Sequence, residues 1–266
     1  MLERLHLKHI GPASEMEFLF GPRLNLLTGD NGLGKTFALD AAWYALTRTW
    51  ADDRPLIPVG RGSREDPPMI DLTVYGKSGT PVERHSKYDF SGQYWPTPSG
   101  RPVMPGLTVY ARIDGGFSVW DPARNYWRDE NTGSDRPPAY QYSKNQLWDG
   151  LDEERAEGSK RTICNGLLRD IETWRLRSNG AFALLQQVLE TLSPSEHERL
   201  ELGEGVRVRL DDVRDVPTIR MPYGFVPVTQ AAAGIRRVLS LSYLLVWAWT
   251  EHVRAAELQR DTPTQR

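Results

Sequence analysis

The chain of 266 residues is poor in cysteine and has no long hydrophobic run. Its one cysteine, Cys164, excludes an internal disulfide framework and a zinc site built from several cysteines. The neighbouring Ile163, Leu167 and Leu168 make this stretch apolar, which favours a buried structural thiol over a reactive one. We therefore expect the protein in a reducing compartment.

The longest apolar stretch, residues 238–249, is too short to span a bilayer and contains Ser240 and Ser242. Residues 1–10 alternate polar and apolar side chains and carry several charges, which is not the pattern of a signal peptide. The sequence therefore predicts a cytoplasmic protein that does not enter a membrane.

The sequence also lacks an excess of either charge, since 33 Lys and Arg oppose 35 Asp and Glu. This balance gives no global electrostatic reason to expect nucleic acid as a partner. A local basic helical face remains possible between residues 155 and 177, although acidic residues are interspersed there, as on many solvated surfaces. DNA binding is left open. The basic residues in question are Arg155, Lys160, Arg161, Arg169, Arg175 and Arg177.

The most informative segment is the run Gly-Asp-Asn-Gly-Leu-Gly-Lys-Thr at residues 29–36. It fits the pattern G-x-x-x-x-G-K-[ST] at every fixed position. Residues 23–28 before it are apolar enough to predict a buried strand, and residues 37–46 after it predict a helix. This context favours a site for a nucleoside triphosphate. The alternative is a glycine-rich turn that carries a lysine by coincidence.

Each part of this loop has a chemical role. The glycines let the chain curl with its N–H groups pointing inward, and the helix N-terminus adds partial positive charge. Lys35 is placed to reach the β- and γ-phosphates and is the predicted catalytic residue, while the Thr36 hydroxyl is a candidate Mg²⁺ ligand. The predicted nucleotide-binding residues are Gly29, Asp30, Asn31, Gly32, Leu33, Gly34, Lys35, Thr36 and Phe37.

The remaining elements divide the chain into two predicted lobes. Residues 1–135 form a nucleotide-binding lobe with the loop and antiparallel strands, and residues 136–266 form a helical lobe, with a polar link at residues 131–138 as the boundary. The predicted hairpins pair residues 2–7 with 16–20, 70–75 with 82–88, 107–113 with 117–120, and 206–210 with 218–221. The predicted helices cover residues 161–192, broken at 178–180, and 231–258.

Five segments resemble one family, the ABC-type ATPases of the SMC, RecF and OLD-like group, which are often described as AAA-family ATPases. These segments are residues 2–10, 24–36, 39–46, 142–151 and 164–170. The resemblance implies an α/β P-loop NTPase fold: an ABC-type ATPase head with an antiparallel β subdomain and a helical lobe. It also implies ATP and Mg²⁺ as cofactors.

In that family a late helix begins with a signature motif, Ser-Gly-Gly and a polar pair, which contacts the γ-phosphate of ATP held by the partner in a head-to-tail dimer. In this chain Ala232 stands where the serine is expected, Ala233 and Gly234 follow, and Arg236 takes the basic position. The helix dipole and the backbone amides still contact the γ-phosphate when alanine replaces the serine, because neither needs a hydroxyl. An ordinary Ala-rich core helix is the alternative interpretation.

Hydrolysis in the family depends on an apolar strand that ends in Asp-Glu and follows the signature helix. This sequence does not contain that pattern; the nearest segment, residues 206–212, is interrupted by two arginines. Two explanations stay open: the chain is the N-terminal part of a longer ATPase, or it is a natural short protein that binds nucleotide without cleaving it. In either case we expect these 266 residues alone to hydrolyse ATP poorly.

The family also has a glutamine that reports on Mg²⁺ near the junction of its two lobes. Gln141 and Gln146 are the candidates for this role, and Gln141 is the predicted metal-site residue; the alternative for each is an ordinary surface position.

The resemblance implies a homodimer that sandwiches ATP and thereby drives or gates an effector protein, an attached C-terminal domain or a DNA transaction in genome defence or repair. A nucleotide-binding regulatory module without catalysis is the second hypothesis, motivated by Ala232 and the missing Asp-Glu pair. A P-loop phosphotransferase is the third, since kinases share the same loop.

Overall fold

The structure is a computed structural model that describes residues 1–58, 62–75, 79–97, 105–125, 138–154, 158–177 and 180–259. These residues form a mixed α/β fold with antiparallel sheets, as expected. The chain packs as two compact units. The first unit holds residues 1–110 and 118–141, and the second holds residues 111–117 together with the described residues from 142 onward.

A four-stranded antiparallel sheet forms the centre of the first unit. Its strands are β1 (Leu2–Lys8), β2 (Glu15–Leu19), β3 (Met69–Tyr75) and β4 (Pro81–Lys87), in the order β2–β1–β3–β4. The two predicted hairpins in this region are therefore confirmed. Alternate side chains of β1 point into the core, so that Leu5 faces its partners Phe18 and Leu72.

Helix α1 (Lys35–Thr47) covers the apolar face of this sheet. Ala41, Tyr44 and Ala45 of the helix share one buried cluster with Leu5 and Ile70 of the strands. Burial of each large apolar side chain of such a cluster contributes about 1.5–3 kcal/mol, which fixes the helix and hence the loop that precedes it. The helix predicted at residues 37–46 is confirmed and begins two residues earlier.

A second sheet has the order β5–β6–β7, with strands Thr108–Ala111, Phe117–Trp120 and Tyr140–Tyr142, and a short helix α2 (Pro122–Asn125) follows β6. The predicted hairpin at residues 107–120 is confirmed. Its turn closes through a bond from the Arg112 N–H to the Gly116 carbonyl oxygen (3.0 Å), and Gly115 has a φ of 91°. The expected lobe boundary at residue 135 lies outside the described residues.

The second unit contains four longer helices and two small sheets, β8–β9 and β10–β11–β12. Its elements are α3 (Lys144–Asp149), β8 (Leu151–Glu154), β9 (Lys160–Cys164), α4 (Leu167–Arg177), α5 (Ala181–Thr191), β10 (Leu202–Arg207), β11 (Asp215–Met221), β12 (Gly224–Pro227) and α6 (Ala233–Leu258). The described part of this unit therefore contains strands as well as helices, and the division into a nucleotide-binding lobe and a helical lobe stays a prediction.

The clearest error concerns residues 161–164, which were expected to begin a helix and instead form most of β9. Burial alternates along this strand, and its backbone pairs with β8. Helix α4 starts only at Leu167, because Gly166 adopts a φ of 89°, which is not a helical angle and turns the chain. A hairpin forms in the region predicted for residues 206–210 and 218–221, but its first strand is β10, so residues 208–210 lie outside the strand and Val206 pairs with Val216. The unpredicted β12 adds a third strand, and α6 begins at Ala233 rather than at 231.

Helix α6 is the longest element of the second unit, and its buried face packs against α5. Tyr243 and Leu244 of α6 are fully buried, as are Leu185 and Leu189 of α5. The described helices include none that combines the length and the hydropathy needed to cross a membrane.

Candidate nucleotide-binding site

The glycine loop at residues 29–34 leads directly into α1 and is shaped by three left-handed residues. Gly29, Gly32 and Gly34 have φ angles of 140°, 87° and 85°. Residues other than glycine rarely adopt such angles, so the curled backbone requires glycine at these three positions of the sequence. A Cβ atom added at Gly32 would meet no atom within 4 Å, which shows that the loop is open at this point.

The Lys35 side chain folds back over this loop. Its ammonium donates hydrogen bonds to the carbonyl oxygens of Gly29 (2.6 Å) and Asp30 (2.7 Å). The cation is therefore held against the backbone of the loop, and phosphate oxygens are its natural acceptors in a loop of this pattern. Binding a phosphate there exchanges neutral carbonyl acceptors for charged ones, which form stronger hydrogen bonds.

The start of α1 is ready to accept an anion. Gly34 occupies the N-cap position and offers no side-chain cap, and the first turn contains no acidic residue. The first amides of the helix therefore keep their partial positive charge free of a competing carboxylate. The Thr36 hydroxyl makes no hydrogen bond within the part of the chain that the structure describes. These observations fit a nucleoside triphosphate with its Mg²⁺ ion.

The other predicted loop residues differ in exposure. Asp30, Asn31 and Leu33 are exposed, with Leu33 60% accessible, whereas Phe37 is half-buried on α1. The first three therefore offer their backbone to a ligand, and Phe37 anchors the start of the helix.

The sequence interpretation missed one neighbour of the loop, the turn between β1 and β2. A Cβ added at Gly34 would lie 2.8 Å from Cγ of Pro12, and one added at Gly11 would lie 2.9 Å from Cε1 of Phe37. This turn therefore forms one wall of the loop. The Gly-Pro pair predicts a turn from sequence, but no local pattern indicates that the turn packs on residues more than twenty positions away.

The buried strand expected at residues 23–28 does not form. Leu24 and Leu26 are 88% and 82% exposed, and no described residue pairs with this segment in a ladder. A strand needs hydrogen-bonding neighbours, and none of the described strands pairs with this segment. The segment therefore enters the loop as irregular chain.

The signature-like residues lie at the start of α6 in the second unit. Ala232 is the N-cap, with no side-chain cap, and its carbonyl oxygen accepts the Arg236 N–H at 2.9 Å. Ala232, Ala233 and Gly234 are exposed, and a Cβ at Gly234 would meet nothing within 4 Å. The helix N-terminus is therefore accessible, whereas Nε of Arg236 is buried without a hydrogen-bond partner among the described residues.

The two candidate glutamines both support local structure. The Gln141 side-chain oxygen accepts the Asp52 N–H (3.0 Å) and the Ser118 hydroxyl, and its nitrogen donates to the Trp50 carbonyl oxygen (3.2 Å). Gln146 and Ser143 cap α3 reciprocally. A metal-linked role for Gln141 stays a prediction, and such a role requires these bonds to open.

The acidic pair that most resembles a catalytic Asp-Glu motif in the sequence is bound by arginine side chains. Strand β10 ends at Arg207, before Asp211 and Asp212, and these carboxylates bind Arg209 (2.8 Å) and Arg214 (2.7 Å). Hydrogen bonds from Arg214 lower the pKa of Asp212 to about 2. The two carboxylates therefore form surface ion pairs and do not follow a buried strand.

The basic residues at positions 155–177 do not form one helical face. Lys160 and Arg161 lie on β9, and Arg161 binds Glu153 at 2.6 Å, whereas Arg169, Arg175 and Arg177 lie on α4. Arg155 falls outside the described residues. Within the described ranges, no group of three His, Cys, Asp or Glu residues has a geometry that could hold a metal ion.

Comparison with known families agrees with the loop geometry. Residues 4–84 match the family of AAA domains. The matched segment runs from within β1 to within β4 and includes β2, the glycine loop, α1 and β3. It supports a P-loop ATPase of the AAA type with nucleotide-binding capacity. It covers less than a third of the chain. A comparison with curated proteins finds no match.

Proposed function

We propose that this protein is the ATP-binding part of an ABC-type ATPase of the SMC, RecF and OLD-like group, in which two copies enclose ATP between them. The observation that carries the proposal is the loop at residues 29–36, with its left-handed glycines and with the Lys35 ammonium bonded to its backbone carbonyls. The AAA-type match over residues 4–84 supports the nucleotide-binding role independently.

Different residues of the loop bind different parts of ATP and its Mg²⁺ ion. The amides of the curled loop and of the first turn of α1 donate to phosphate oxygens, and Lys35 leaves its two carbonyl partners to bind the β- and γ-phosphates. The Thr36 hydroxyl is placed to be a Mg²⁺ ligand, and the ion supplies charge neutralisation between the phosphates. The turn with Gly11 and Pro12 limits the space on one side.

The start of α6 supports the second half of the proposal, the contact with ATP held by another copy. Its first residues are exposed, carry no acidic side chain and leave their amides available to an anion. Ile235, Met221 and Pro222 help to line an adjacent cavity of about 720 Å³, so the surface beside the helix start is concave. Ala232 lacks the hydroxyl of a signature serine, and the contact relies on the backbone and the helix dipole.

In this proposal, closure of two copies around ATP drives or gates an effector or a DNA transaction in genome defence or repair. The alternative is a regulatory module that binds ATP without cleaving it. Ala232 and the lack of an Asp-Glu pair after an apolar strand in the sequence favour this alternative. Both functions use the same loop to bind ATP, and they differ in whether the bound ATP is hydrolysed.

Sedimentation velocity with and without ATP and Mg²⁺ tests the two-copy arrangement. We expect ATP-dependent dimers of the wild-type chain and monomers of Lys35→Ala. Gly234→Glu should fold, because its site is open and an acidic residue suits a helix N-terminus, yet it should block the dimer by repelling the triphosphate.

Gly234→Gln is the matched control for Gly234→Glu, since it adds the same bulk without the charge. It should associate more strongly than Gly234→Glu. A wild-type chain that binds ATP and stays monomeric at every concentration would contradict the sandwich.

A further inference from the structure

The turn between β5 and β6 is closed by its own backbone and by one carboxylate. The Gly116 N–H donates to Oδ1 of Asp114 (2.8 Å), and the Gly115 N–H donates to the Arg112 carbonyl oxygen (3.3 Å). Gly115 holds a φ of 91°, which side chains other than glycine rarely adopt. The turn therefore presents the carbonyl oxygens of Arg112 and Gly115 as fixed acceptors.

Arg237, on the second turn of α6, binds both of these acceptors. Its Nη1 donates to the Gly115 carbonyl oxygen at 2.6 Å, and its Nη2 donates to the Arg112 carbonyl oxygen at 2.7 Å. Its guanidinium also stacks on the Phe117 ring, 4.4 Å from the ring centre. The planar fork of arginine makes these three contacts at once, which a lysine ammonium does not reproduce.

Charge alone does not explain this arrangement. The buried Arg112 guanidinium lies nearby and repels Arg237, while Asp114 is the nearby carboxylate. Burial lowers the pKa of Arg237, the Asp114 carboxylate opposes this effect, and the repulsion by Arg112 adds a smaller lowering effect. The acceptors of the fork are neutral carbonyls, so the contact is directional and not a simple ion pair.

We propose that Arg237 is a positioning residue whose guanidinium fixes the β5–β6 turn to the beginning of α6, so that the two segments open and move together. The adjacent Arg236 does not share this role, since its Nε is buried without a hydrogen-bond partner in the described part of the chain. Residues 111–117 and α6 belong to the same compact unit.

The position of Arg237 connects this coupling to the proposed function. The exposed Ala232 and Gly234 lie within about one helical turn of Arg237. If these residues face ATP held by a second copy, Arg237 sets the direction of their amides. This consequence rests on the proposed function, whereas the coupling itself does not.

Hydrogen–deuterium exchange of the whole chain without nucleotide tests the coupling. Arg237→Gln should speed exchange at residues 111–117 and at residues 233–240 together, by about tenfold, because charged hydrogen bonds are lost from both. Arg237→Lys should behave in the same way if the fork matters. Arg254→Gln is the matched control, because Arg254 lies on the same helix, its side chain is 53% exposed, and within the described part of the chain it makes an ion pair with Glu251 alone (3.0 Å).

Gly115→Ala provides the reciprocal test, because it strains the turn while its Cβ makes only an ordinary van der Waals contact with α6, 3.9 Å from Nη1 of Arg237. We expect it to loosen residues 111–117 and to raise exchange at residues 233–240 as well. The inference is wrong if either segment responds alone, or if Arg237→Lys keeps wild-type protection.

The association assay adds a readout that a purely structural role would not move. Arg237→Gln should weaken ATP-dependent association by about tenfold and leave ATP affinity unchanged, since the phosphate loop is untouched. If the wild-type chain does not associate with ATP, the proposed function fails, and the exchange experiment still decides the coupling.

Discussion

Tyr243 donates its hydroxyl hydrogen to Oδ2 of Asp170 across 2.8 Å in the interior of the second unit. The other oxygen of this carboxylate accepts a hydrogen bond from Nδ2 of Asn165 (2.9 Å), and Asp170 is only 3% exposed. Trp174 stacks on the Tyr243 ring. This contact joins α4 to α6 through a buried acid, which makes the stability of the unit depend on pH.

Burial raises the pKa of Asp170 above its unfolded value of about 3.9, although hydrogen bonds from Tyr243 and Asn165 oppose the effect. The folded state therefore holds the proton more tightly, so the contribution of Asp170 to stability is complete below about pH 4 and is lost as the pH rises through the folded pKa. The Asp170→Asn side chain does not ionise, so this loss of stability with rising pH is absent from the variant. The melting temperature of the variant, relative to wild type, should rise between about pH 4 and about pH 8.

Thermal unfolding across this pH range checks the prediction for Asp170. Asp152→Asn is the control, because Asp152 is an exposed carboxylate on β8. A difference between Asp170→Asn and wild type that does not change with pH would contradict the buried-acid account.

Cys164 lies beside the same cluster, with Sγ 3.4 Å from the Tyr243 hydroxyl. Burial raises the pKa of this thiol to about 11, and the residue is 2% exposed. Because the thiolate is the reactive form, we expect a thiol reagent such as DTNB to label the folded protein very slowly and the urea-unfolded protein at once. Complete labelling of the native protein within minutes would show that the site is open.

Ala232 has extended backbone angles (φ −54°, ψ 149°) at the N-cap of α6 and no side chain that can accept an amide hydrogen. Ala232→Ser should raise the free energy of unfolding by about 0.5–2 kcal/mol, because serine caps the free amides. Urea unfolding measures the change. Ala233→Ser, one residue inside the helix, should give no such gain, and equal effects of the two substitutions would refute the capping geometry.

The chain should turn over ATP slowly, because its acidic pair at Asp211 and Asp212 is engaged by arginines and no other segment of the sequence ends an apolar strand with Asp-Glu. A missing base that positions the attacking water lowers the rate by about 10²–10⁴-fold. Phosphate release from the purified chain measures it. Turnover of ordinary size that is abolished by Lys35→Ala would overturn this expectation.

The elements that local pattern determines could be predicted from the sequence. Strands β1–β3 alternate polar and apolar side chains with period two, and the turns β1–β2 and β3–β4 are marked by Gly and Pro in the sequence, so pairing follows from pattern. The glycine loop is equally local, because its left-handed angles belong to Gly29, Gly32 and Gly34 themselves.

What could not be predicted depends on contacts between distant residues. Residues 160–164 contain two apolar side chains, Ile163 and Cys164, which are too few to distinguish a helical period from a strand period. Only the pairing with β8 makes them a strand. The bonds of Arg237 join positions more than 120 residues apart, and nothing in the sequence around it separates it from Arg236. The irregular course of residues 23–28 likewise reflects the lack of a ladder neighbour among the described residues, not their composition.

Isothermal titration calorimetry with ATP and Mg²⁺ tests the central claim most directly, because the claim is that the loop around Lys35 binds the phosphates. The wild-type chain should bind one ATP per copy. Lys35→Ala should weaken binding by at least about tenfold through the loss of charged hydrogen bonds, and Lys87→Ala, on the exposed β4, should bind as wild type does. Wild-type protein that gives no binding heat and no competition for a fluorescent ATP analogue, or that binds ATP equally well without the Lys35 ammonium, would contradict the account.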